Sequence, residues 1–413
     1  MVFIRKSADP TPLVDAVFSV VAMAKKDKLE NGDENVVDAT IGSLYADDGK
    51  LVALHTVFDH YDAIDQRVKA AYAAGLKGNP SYREAVYEWV IAPSKADLCH
   101  SVIATPGGTG AISVAVTTFL GAGETLIIPE IAWGSYRLMA NENGMKTATY
   151  HMFDGDQFNL GSVKETVRKV MQEQDRVVII VNDPCHNPTG YSMTVQEWQE
   201  LIAFMNECSK THPCIIINDI AYIDYSNDTD HVHDYMDTFN GISDNVLITV
   251  CSSCSKTLTS YGLRCGAATI LAKKEESVRE VEVIMEKKAR ATWSNIPNAA
   301  MENFTWVVRE NREAFEAEKQ EYIDLMKQRS SLFLKEAKEC GLEVYPYKEG
   351  FFVTLKIEDN SVRDKVHEAL IEKHIYTVKV NHGIRVAVCS LPLRKTGGLA
   401  KVMKETEDSV LKG

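Results

Sequence analysis

The 413-residue sequence has no excess of positive charge and no apolar run long enough to cross a bilayer. It contains 45 Lys and Arg against 58 Asp and Glu, which gives a formal net charge of −13. Nucleic-acid phosphates are bound by a basic face, so this balance argues against nucleic acid as a partner. The apolar stretch over residues 13–24 is interrupted by Asp15 and Ser19 and is too short for a membrane span. We therefore expect neither a nucleic-acid-binding protein nor a membrane protein.

Metal-binding patterns are scarce as well. Among the nine cysteines, only Cys251 and Cys254 form a C-x-x-C pair, and no second pair or spaced histidine pair accompanies them. A structural zinc site normally needs four such ligands, so we expect no metal. The odd number of cysteines is typical of free thiols in a reducing compartment, and no export signal is visible. These observations favour a cytoplasmic location.

Short β-branched runs alternate with longer helical patterns through the middle of the chain. The runs lie at residues 125–128, 177–181, 214–217 and 246–250, with Gly, Pro or Asp at their edges. Runs that are apolar throughout are typical of parallel strands covered by helices on both faces. The pattern predicts an α/β fold, in which ligands bind beyond the carboxyl ends of the strands.

The composition changes near residue 309. A charged helical pattern extends to about residue 340, and strand-like runs at 342–347, 351–357 and 384–388 surround a helical pattern over 362–374. This change predicts a second, smaller α+β domain, which the N-terminal segment completes. In that segment Pro12 precedes apolar residues at helical spacing, which indicates an amphipathic helix over residues 13–24.

Chemically versatile residues follow two of the strand-like runs. Ser253, Lys256 and Arg264 come after the run at 246–250. Hydroxyl and guanidinium groups bind phosphate, and a lysine amine forms Schiff bases. Alone, Lys256 is equally well explained as a solvated lysine after a strand. Asp219 comes after the run at 214–217, where an aspartate is often only a helix cap.

Two further turns carry glycine. Gly107-Gly108-Thr109-Gly110 precedes an apolar helical run, and such glycines let backbone N–H groups approach a phosphate at a helix N-terminus. This signal is weak by itself, because glycine-rich turns are common. Asn187-Pro-Thr-Gly190 follows another strand-like run and by itself predicts only a turn.

Taken together, these motifs resemble those of the class I, fold-type-I aminotransferases that use pyridoxal phosphate (PLP). The motifs are Asn187-Pro-Thr-Gly190, Asp219-x-x-Tyr222, Ser253-x-x-Lys256 with Arg264, and Arg385. The resemblance covers essentially the whole chain and is closest to the aspartate/aromatic branch. It implies a large domain with a mostly parallel seven-stranded sheet, a smaller α+β domain, and a homodimer with shared active sites. On this basis we expect residues 1–50 to join the small domain, 51–310 to form the PLP-binding domain and 311–413 to form the small domain.

The resemblance also implies roles for individual residues. Lys256 would be the Schiff-base lysine and proton carrier, Asp219 would pair with the ring nitrogen, and Tyr222 would bond the ring oxygen. The implied catalytic residues are Lys256, Asp219 and Tyr222. The implied cofactor-binding residues are Gly108, Thr109, Trp133, Asn187, Asp219, Tyr222, Ser253, Lys256, Arg264 and, from the partner subunit, Tyr72. The implied substrate-binding residues are Gly42, Asn187, Arg290 and Arg385.

The chain departs from the family pattern at several positions. Tyr136 stands near the stacking tryptophan where aspartate enzymes have a His, and Asn182 stands where a His often supports the aspartate. Tyr72 is one residue off the family spacing for a partner-donated phosphate ligand, which leaves Tyr82 as a rival. Arg290 is either a partner-donated ligand for a side-chain carboxylate or a surface arginine.

The expected activity is transamination. An amino group would move between aspartate, glutamate or an aromatic amino acid and a 2-oxo acid such as 2-oxoglutarate. A PLP-dependent β-lyase or decarboxylase on the same fold would use the same Lys256, Asp219 and Arg264, and it is the alternative. A PLP-dependent regulator would need a DNA-binding segment, which the acidic balance of the chain disfavours.

Overall fold

The computed structural model of the protein describes residues 3–4, 9–13 and 16–412. Helices and strands alternate through most of this range. The α-helices are α1 (Ala16–Asn31), α2 (His55–Ala63), α3 (Gln66–Ala70), α4 (Pro80–Val90), α5 (Gly107–Phe119), α6 (Ser135–Glu142), α7 (Leu160–Val170), α8 (Val195–Cys208), α9 (Cys254–Thr257), α10 (Glu275–Thr292), α11 (Asn298–Glu310), α12 (Arg312–Cys340), α13 (Asn360–Glu372), α14 (Leu393–Thr396) and α15 (Leu399–Lys412). The strands are β1 (Val37–Asp38), β2 (Cys99–Thr105), β3 (Thr125–Pro129), β4 (Lys146–Tyr150), β5 (Phe153–Asp154), β6 (Gln157–Phe158), β7 (Val177–Asn182), β8 (Cys214–Asp219), β9 (Val246–Ser253), β10 (Gly266–Ala272), β11 (Phe352–Lys356), β12 (Ile375–Tyr376), β13 (Val378–Val380) and β14 (Gly383–Ala387).

A seven-stranded sheet organises the larger part of the molecule. Its strand order is β2-β10-β9-β8-β7-β3-β4. Strands β9, β8, β7, β3 and β4 run parallel, whereas β10 is antiparallel to both of its neighbours. The predicted mostly parallel sheet is therefore confirmed, and the four predicted strand-like runs form β3, β7, β8 and β9.

The sheet is buried on both faces, which explains why its strands are apolar throughout. Ile216 of β8 belongs to one apolar cluster, and its neighbours Ile215 and Ile217 belong to another. Successive strand residues point to opposite faces, so the two clusters lie on either side of the sheet. Trp198 of α8 contributes to the first cluster and Ala115 of α5 contributes to the second.

A smaller antiparallel sheet, in the order β11-β14-β13, forms a separate core near the end of the chain. Helices α12, α13 and α15 supply Phe333, Leu370 and Met403 to this core. The predicted strand over residues 342–347 is wrong, since that segment forms only one bridge, between Val344 and Leu355. A single bridge leaves the segment without the repeated ladder bonds that define a strand.

The N-terminal segment reaches the small core through β1, which pairs in parallel with β12. Helix α1 begins at Ala16 and extends to Asn31, so it is longer than the predicted helix over residues 13–24. Positions 14 and 15 of that prediction lie outside the described residues. Helix α12 joins the two cores, because its Phe315 packs in the large one and its Phe333 in the small one. Across the described part of the chain, no helix is both long and apolar enough to cross a membrane.

Candidate active site

Three neighbouring parallel strands end at one edge of the large sheet. Asn182 ends β7, Asp219 ends β8 and Ser253 ends β9. Immediately after β9, the single-turn helix α9 carries Lys256. Because parallel strands share the direction of their carboxyl ends, residues far apart in sequence meet at this edge.

A pocket with an empty volume of about 520 Å³ opens at this edge. Nine of the ten predicted cofactor-binding residues line it; the exception is Tyr72. The lining consists of Gly108, Thr109, Ile112, Trp133, Tyr136, Asn182, Asn187, Asp219, Ala221, Tyr222, Ser253, Ser255, Lys256 and Arg264.

One end of the pocket is built to receive an anion. Helix α5 begins at Gly107, whose φ of 74° is in the left-handed region that favours glycine. A Cβ on Gly107 would lie 2.6 Å from an Arg264 guanidinium nitrogen, and one on Gly108 would lie 3.1 Å from the Ser253 Cβ. The glycines therefore allow backbone N–H groups, a hydroxyl and a guanidinium to converge at a helix N-terminus, which suits a phosphate group.

The opposite end holds the carboxylate of Asp219. The Tyr136 hydroxyl donates to Asp219 Oδ2 at 2.5 Å, and the Ala221 N–H donates to Oδ1 at 3.1 Å. Burial raises the pKa of Asp219, and these two hydrogen bonds and the nearby charge of Lys256 oppose that rise. The Asn182 side chain does not bond the Asp219 carboxylate; it donates to the Asp219 backbone carbonyl at 2.8 Å. A carboxylate at this end suits a protonated ring nitrogen.

The amine of Lys256 lines the same pocket and is close enough to both Asp219 and Arg264 to feel their charges. Its Nζ is 5.5 Å from the centroid of the Tyr222 ring and 5.8 Å from that of Tyr261. Burial lowers the pKa of Lys256 to about 8; the charge of Asp219 opposes this shift and that of Arg264 adds to it. The amine therefore has a larger neutral fraction near neutral pH than an ordinary lysine, which favours a nucleophilic role. The phosphate-type cradle, the amine and the carboxylate together fit PLP.

A second group of residues lies beside Tyr222. Arg385 donates to Asn187 Oδ1 at 3.2 Å and to the Thr40 carbonyl at 2.6 Å. The Asn187 amide donates in turn to the Tyr222 hydroxyl at 3.4 Å. A Cβ on Gly42 would lie 3.8 Å from the same hydroxyl. The predicted substrate residues Gly42, Asn187 and Arg385 are thus brought together.

Two predicted residues do not reach this pocket within one chain. Tyr72 is 87% exposed. Arg290 is also exposed, and its guanidinium donates to Ser294 Oγ at 2.5 Å. Tyr82, the alternative to Tyr72, lies in the core, where its hydroxyl donates to the Gly266 carbonyl at 2.9 Å. Because Tyr82 is fully buried, it is not placed to enter the site of another subunit.

Two further residues near the amine were not predicted from the sequence. Ser255 lines the pocket and accepts a hydrogen bond from Arg264 at 3.1 Å. Tyr261 accepts a hydrogen bond from the Leu44 N–H at 2.8 Å, which ties the segment after Lys256 to that of Gly42. Ser255 lies inside the Ser253-x-x-Lys256 motif, so its position in the sequence was a usable signal.

Within the described ranges, no three or more His, Cys, Asp or Glu side chains form a group suited to a metal ion. All nine cysteines are free thiols. Cys251 and Cys254 are both buried, with pKa values that burial raises above the usual thiol range. In Cys254, a hydrogen bond with Cys265 contributes still more to that rise.

Known proteins resemble this chain in sequence and in fold. The sequence model for the family "Aminotransferase class I and II" matches residues 40–399. The solved aminotransferase from Anaerococcus prevotii has a TM-score of 0.94 and 32% identity, covering 99% of this chain and 100% of that one. The fold is also that of an aromatic-amino-acid aminotransferase from Burkholderia pseudomallei, solved covalently bound to PLP, with a TM-score of 0.76 and 20% identity over 96% of this chain and 98% of that one.

Among curated proteins, the mitochondrial aspartate aminotransferase of Schizosaccharomyces pombe is 25% identical over 289 residues. The alignment covers 68% of this chain and 63% of that relative, so this chain spans less than two thirds of the relative's length.

Proposed function

Since the chain belongs to the class I and II aminotransferase family, we propose that it is a PLP-dependent transaminase. It moves an amino group between aspartate, glutamate or an aromatic amino acid and a 2-oxo acid such as 2-oxoglutarate. One observation carries this proposal: the Lys256 amine, with a pKa lowered to about 8 by burial, shares one pocket with an anion-binding cradle and the carboxylate of Asp219.

Each pocket residue has a definite task in this proposal. These residues line one pocket, in which Gly108, Thr109, Ser253 and Arg264 would hold the phosphate, Trp133 would cover the ring, and Asn187 and Tyr222 would bond the ring oxygen. Asp219 keeps a proton on the ring nitrogen. When bound, PLP supplies an electron sink for the negative charge that develops at the substrate Cα. Lys256 carries the proton to and from that carbon.

Arg385 binds the α-carboxylate of the amino acid with its planar guanidinium fork. It lies against Asn187 and close to the Gly42 segment, so the carboxylate is held beside the cofactor-binding residues. The partner subunit's Arg290 binds the second carboxylate of aspartate or glutamate.

The site is shared between two copies of the chain. Tyr72 and Arg290 are exposed in one chain, as residues must be if they enter the pocket of a partner. We accordingly propose a homodimer. The nine free thiols support a reducing compartment, which is consistent with the cytoplasm.

The purified protein supplied with PLP tests this proposal. It is expected to absorb visible light, and borohydride should fix the cofactor on the peptide that contains Lys256. With 2-oxoglutarate, a panel of amino acids should give glutamate and the matching 2-oxo acid in equal amounts. Release of ammonia without glutamate, or cofactor fixed equally well in Lys256→Ala, would contradict the proposal.

A further inference from the structure

One buried carboxylate links two of the segments that line the pocket. Asp224 is two residues after Tyr222, and its Oδ2 accepts a hydrogen bond from the Thr257 hydroxyl at 2.6 Å. Thr257 is the residue after Lys256 and the last residue of α9. The same carboxylate thus belongs to the Tyr222 segment and binds the turn that carries Lys256.

Asp224 is itself held by groups from two other helices. Its Oδ1 accepts hydrogen bonds from Trp89 Nε1 of α4 at 3.0 Å and from Lys319 Nζ of α12 at 3.2 Å. The side chains of Asp224 and Lys319 are only 7% and 6% exposed, and Nζ lies 4.9 Å from the centroids of the Trp89 and Phe315 rings. The three hydrogen bonds that Asp224 accepts are therefore largely shielded from water.

The carboxylate keeps its charge despite this burial. Burial acts to raise the pKa of Asp224, but the positive charge of Lys319 and the hydrogen bond from Thr257 outweigh it, and the pKa is lowered. An ionised acceptor binds a hydroxyl donor about twice as strongly as a neutral one. Asp224 is consequently a firm anchor for Thr257.

Helix α9 depends on such an anchor, because it has only four residues. A helix of one turn gains little from its own backbone hydrogen bonds. Lys256 and Tyr222 face the pocket from adjoining segments, with the amine 5.5 Å from the ring centroid. Asp224 lies in the Tyr222 segment and bonds the last residue of α9, so it links the two segments directly.

We propose that Asp224 is a positioning residue for Lys256: held by Lys319, it fixes the α9 turn through Thr257 and so sets the amine relative to Tyr222. The inference rests on the proposed role of Lys256 as the lysine that binds PLP. A misplacement of about 1 Å at a reacting group is enough to lower a rate on the order of a hundredfold.

The test compares Thr257→Val, which removes the hydroxyl with little change in shape, with Thr257→Ser, which restores it. Thr305→Val is the matched control, since that part-buried hydroxyl donates to the Met301 carbonyl four residues earlier in α11, as the Thr257 hydroxyl donates to the Ser253 carbonyl. PLP is added to each apoprotein, and the rate of borohydride-fixed attachment is followed together with kcat and KM. We expect Thr257→Val to slow attachment and kcat about tenfold, with KM for the amino acid changed less than about twofold. Thr257→Ser should stay within about twofold of the unmodified protein in both rates.

Asp224→Asn should lower both rates further if the variant folds, because it also leaves the buried charge of Lys319 without its ion-pair partner. If Asp224→Asn fails to fold, the comparison of Thr257→Val with Thr257→Ser still tests the inference. Equal attachment rates and equal kcat in Thr257→Val and Thr305→Val would overturn the inference. That result differs from failure of the proposed function, in which Lys256→Ala would itself still carry fixed PLP.

Discussion

At the residue scale, the bond between Tyr136 and Asp219 distinguishes this pocket from the family pattern. A histidine at this position would gain and lose a proton near neutral pH. Burial, reinforced by the charge of Asp219, raises the pKa of the Tyr136 hydroxyl well above its usual range, so Tyr136 remains a neutral donor. The group that donates to Asp219 Oδ2 therefore does not change its own charge near neutral pH, as a histidine would.

Tyr136→Phe tests this arrangement. Losing the donor raises the pKa of Asp219 further, and Asp219 is ionised only above its pKa. The acidic limb of the kcat–pH profile should accordingly move to higher pH, with kcat at neutral pH reduced on the order of tenfold. Tyr150→Phe is the control, because this buried hydroxyl donates only weakly to the Ile180 carbonyl, at 3.5 Å. An acidic limb that is the same in both variants would show that Tyr136 does not tune Asp219.

Lys256 gives a second prediction at this scale. Only the neutral amine attacks an aldehyde, and the pKa of this amine is lowered to about 8. The rate at which PLP attaches to the apoprotein should rise with pH up to about 8 and level off above it. Stopped-flow absorbance between roughly pH 6.5 and 9.5 measures this rate. A rate that keeps rising toward the ordinary lysine pKa would show that the pocket leaves this amine unperturbed.

At the scale of elements, α12 contacts segments that carry cofactor residues and segments that carry substrate residues. Its Lys319 binds Asp224, two residues after Tyr222, and ten residues later its Arg329 is fully buried. The Arg329 guanidinium donates to the Tyr45 carbonyl at 2.9 Å and to the Cys389 carbonyl at 3.1 Å. These bonds connect the segment after Gly42 with the segment after Arg385. An α-helix rises about 15 Å over the ten residues between the two cations, so α12 links the Asp224 segment to the segments that carry the substrate residues.

Arg329→Met should weaken this element. It removes the donor to the Tyr45 carbonyl and one of the two donors to the Cys389 carbonyl, which also accepts from the Tyr45 N–H. Each lost hydrogen bond of this kind costs about 1–3 kcal/mol. We expect the free energy of unfolding to fall by about 2–5 kcal/mol and KM for every amino donor to rise. Lys335→Met on the same helix is the control, since its pair with Glu339 is 73% and 64% exposed and should contribute less than about 1 kcal/mol. Urea unfolding of both variants measures the difference, and equal values would mean that Arg329 is not an anchor.

At the scale of the whole molecule, the proposed pocket needs two chains. Arg290 lies on α10 with its side chain exposed, outside the pocket of its own chain. If it acts across a subunit boundary, two defective subunits can restore one another. The restored site would combine Lys256 of one chain with the partner's Arg290.

A hybrid dimer of Lys256→Ala and Arg290→Leu subunits, purified with two different tags, makes this test. One of its two sites has an intact Lys256 and an intact Arg290 only if the arginine comes from the partner. We expect the hybrid to transaminate aspartate at about half the rate of the unmodified dimer, while each parent dimer is nearly inactive with aspartate. The Arg290→Leu parent should keep its activity with phenylalanine. A hybrid as inactive with aspartate as its parents would place Arg290 outside the partner's site.

Much of the fold and site was predictable from local sequence. The β-branched runs at 177–181 and 214–217 formed adjacent parallel strands, because a strand covered on both faces must be apolar throughout. Gly107 and Gly108 opened α5 because only glycine allows the close approach seen there. Strand β10 was not predicted. The local sequence of residues 266–272 contains no signal for a strand that runs antiparallel between β2 and β9.

The sequence by itself determined which chemical groups are present and which strand ends carry them, because backbone propensity and hydrophobic burial act over a few neighbouring residues. Only the tertiary structure decided which of those groups meet. Arg385 bonds Asn187 across 198 residues, and Tyr82 is buried whereas Tyr72 is exposed, although both precede the same strand β2. The contact of Asp224 with Thr257 and Lys319 was likewise set by packing. Such contacts depend on how whole helices and sheets fit together, which no local pattern of residues encodes.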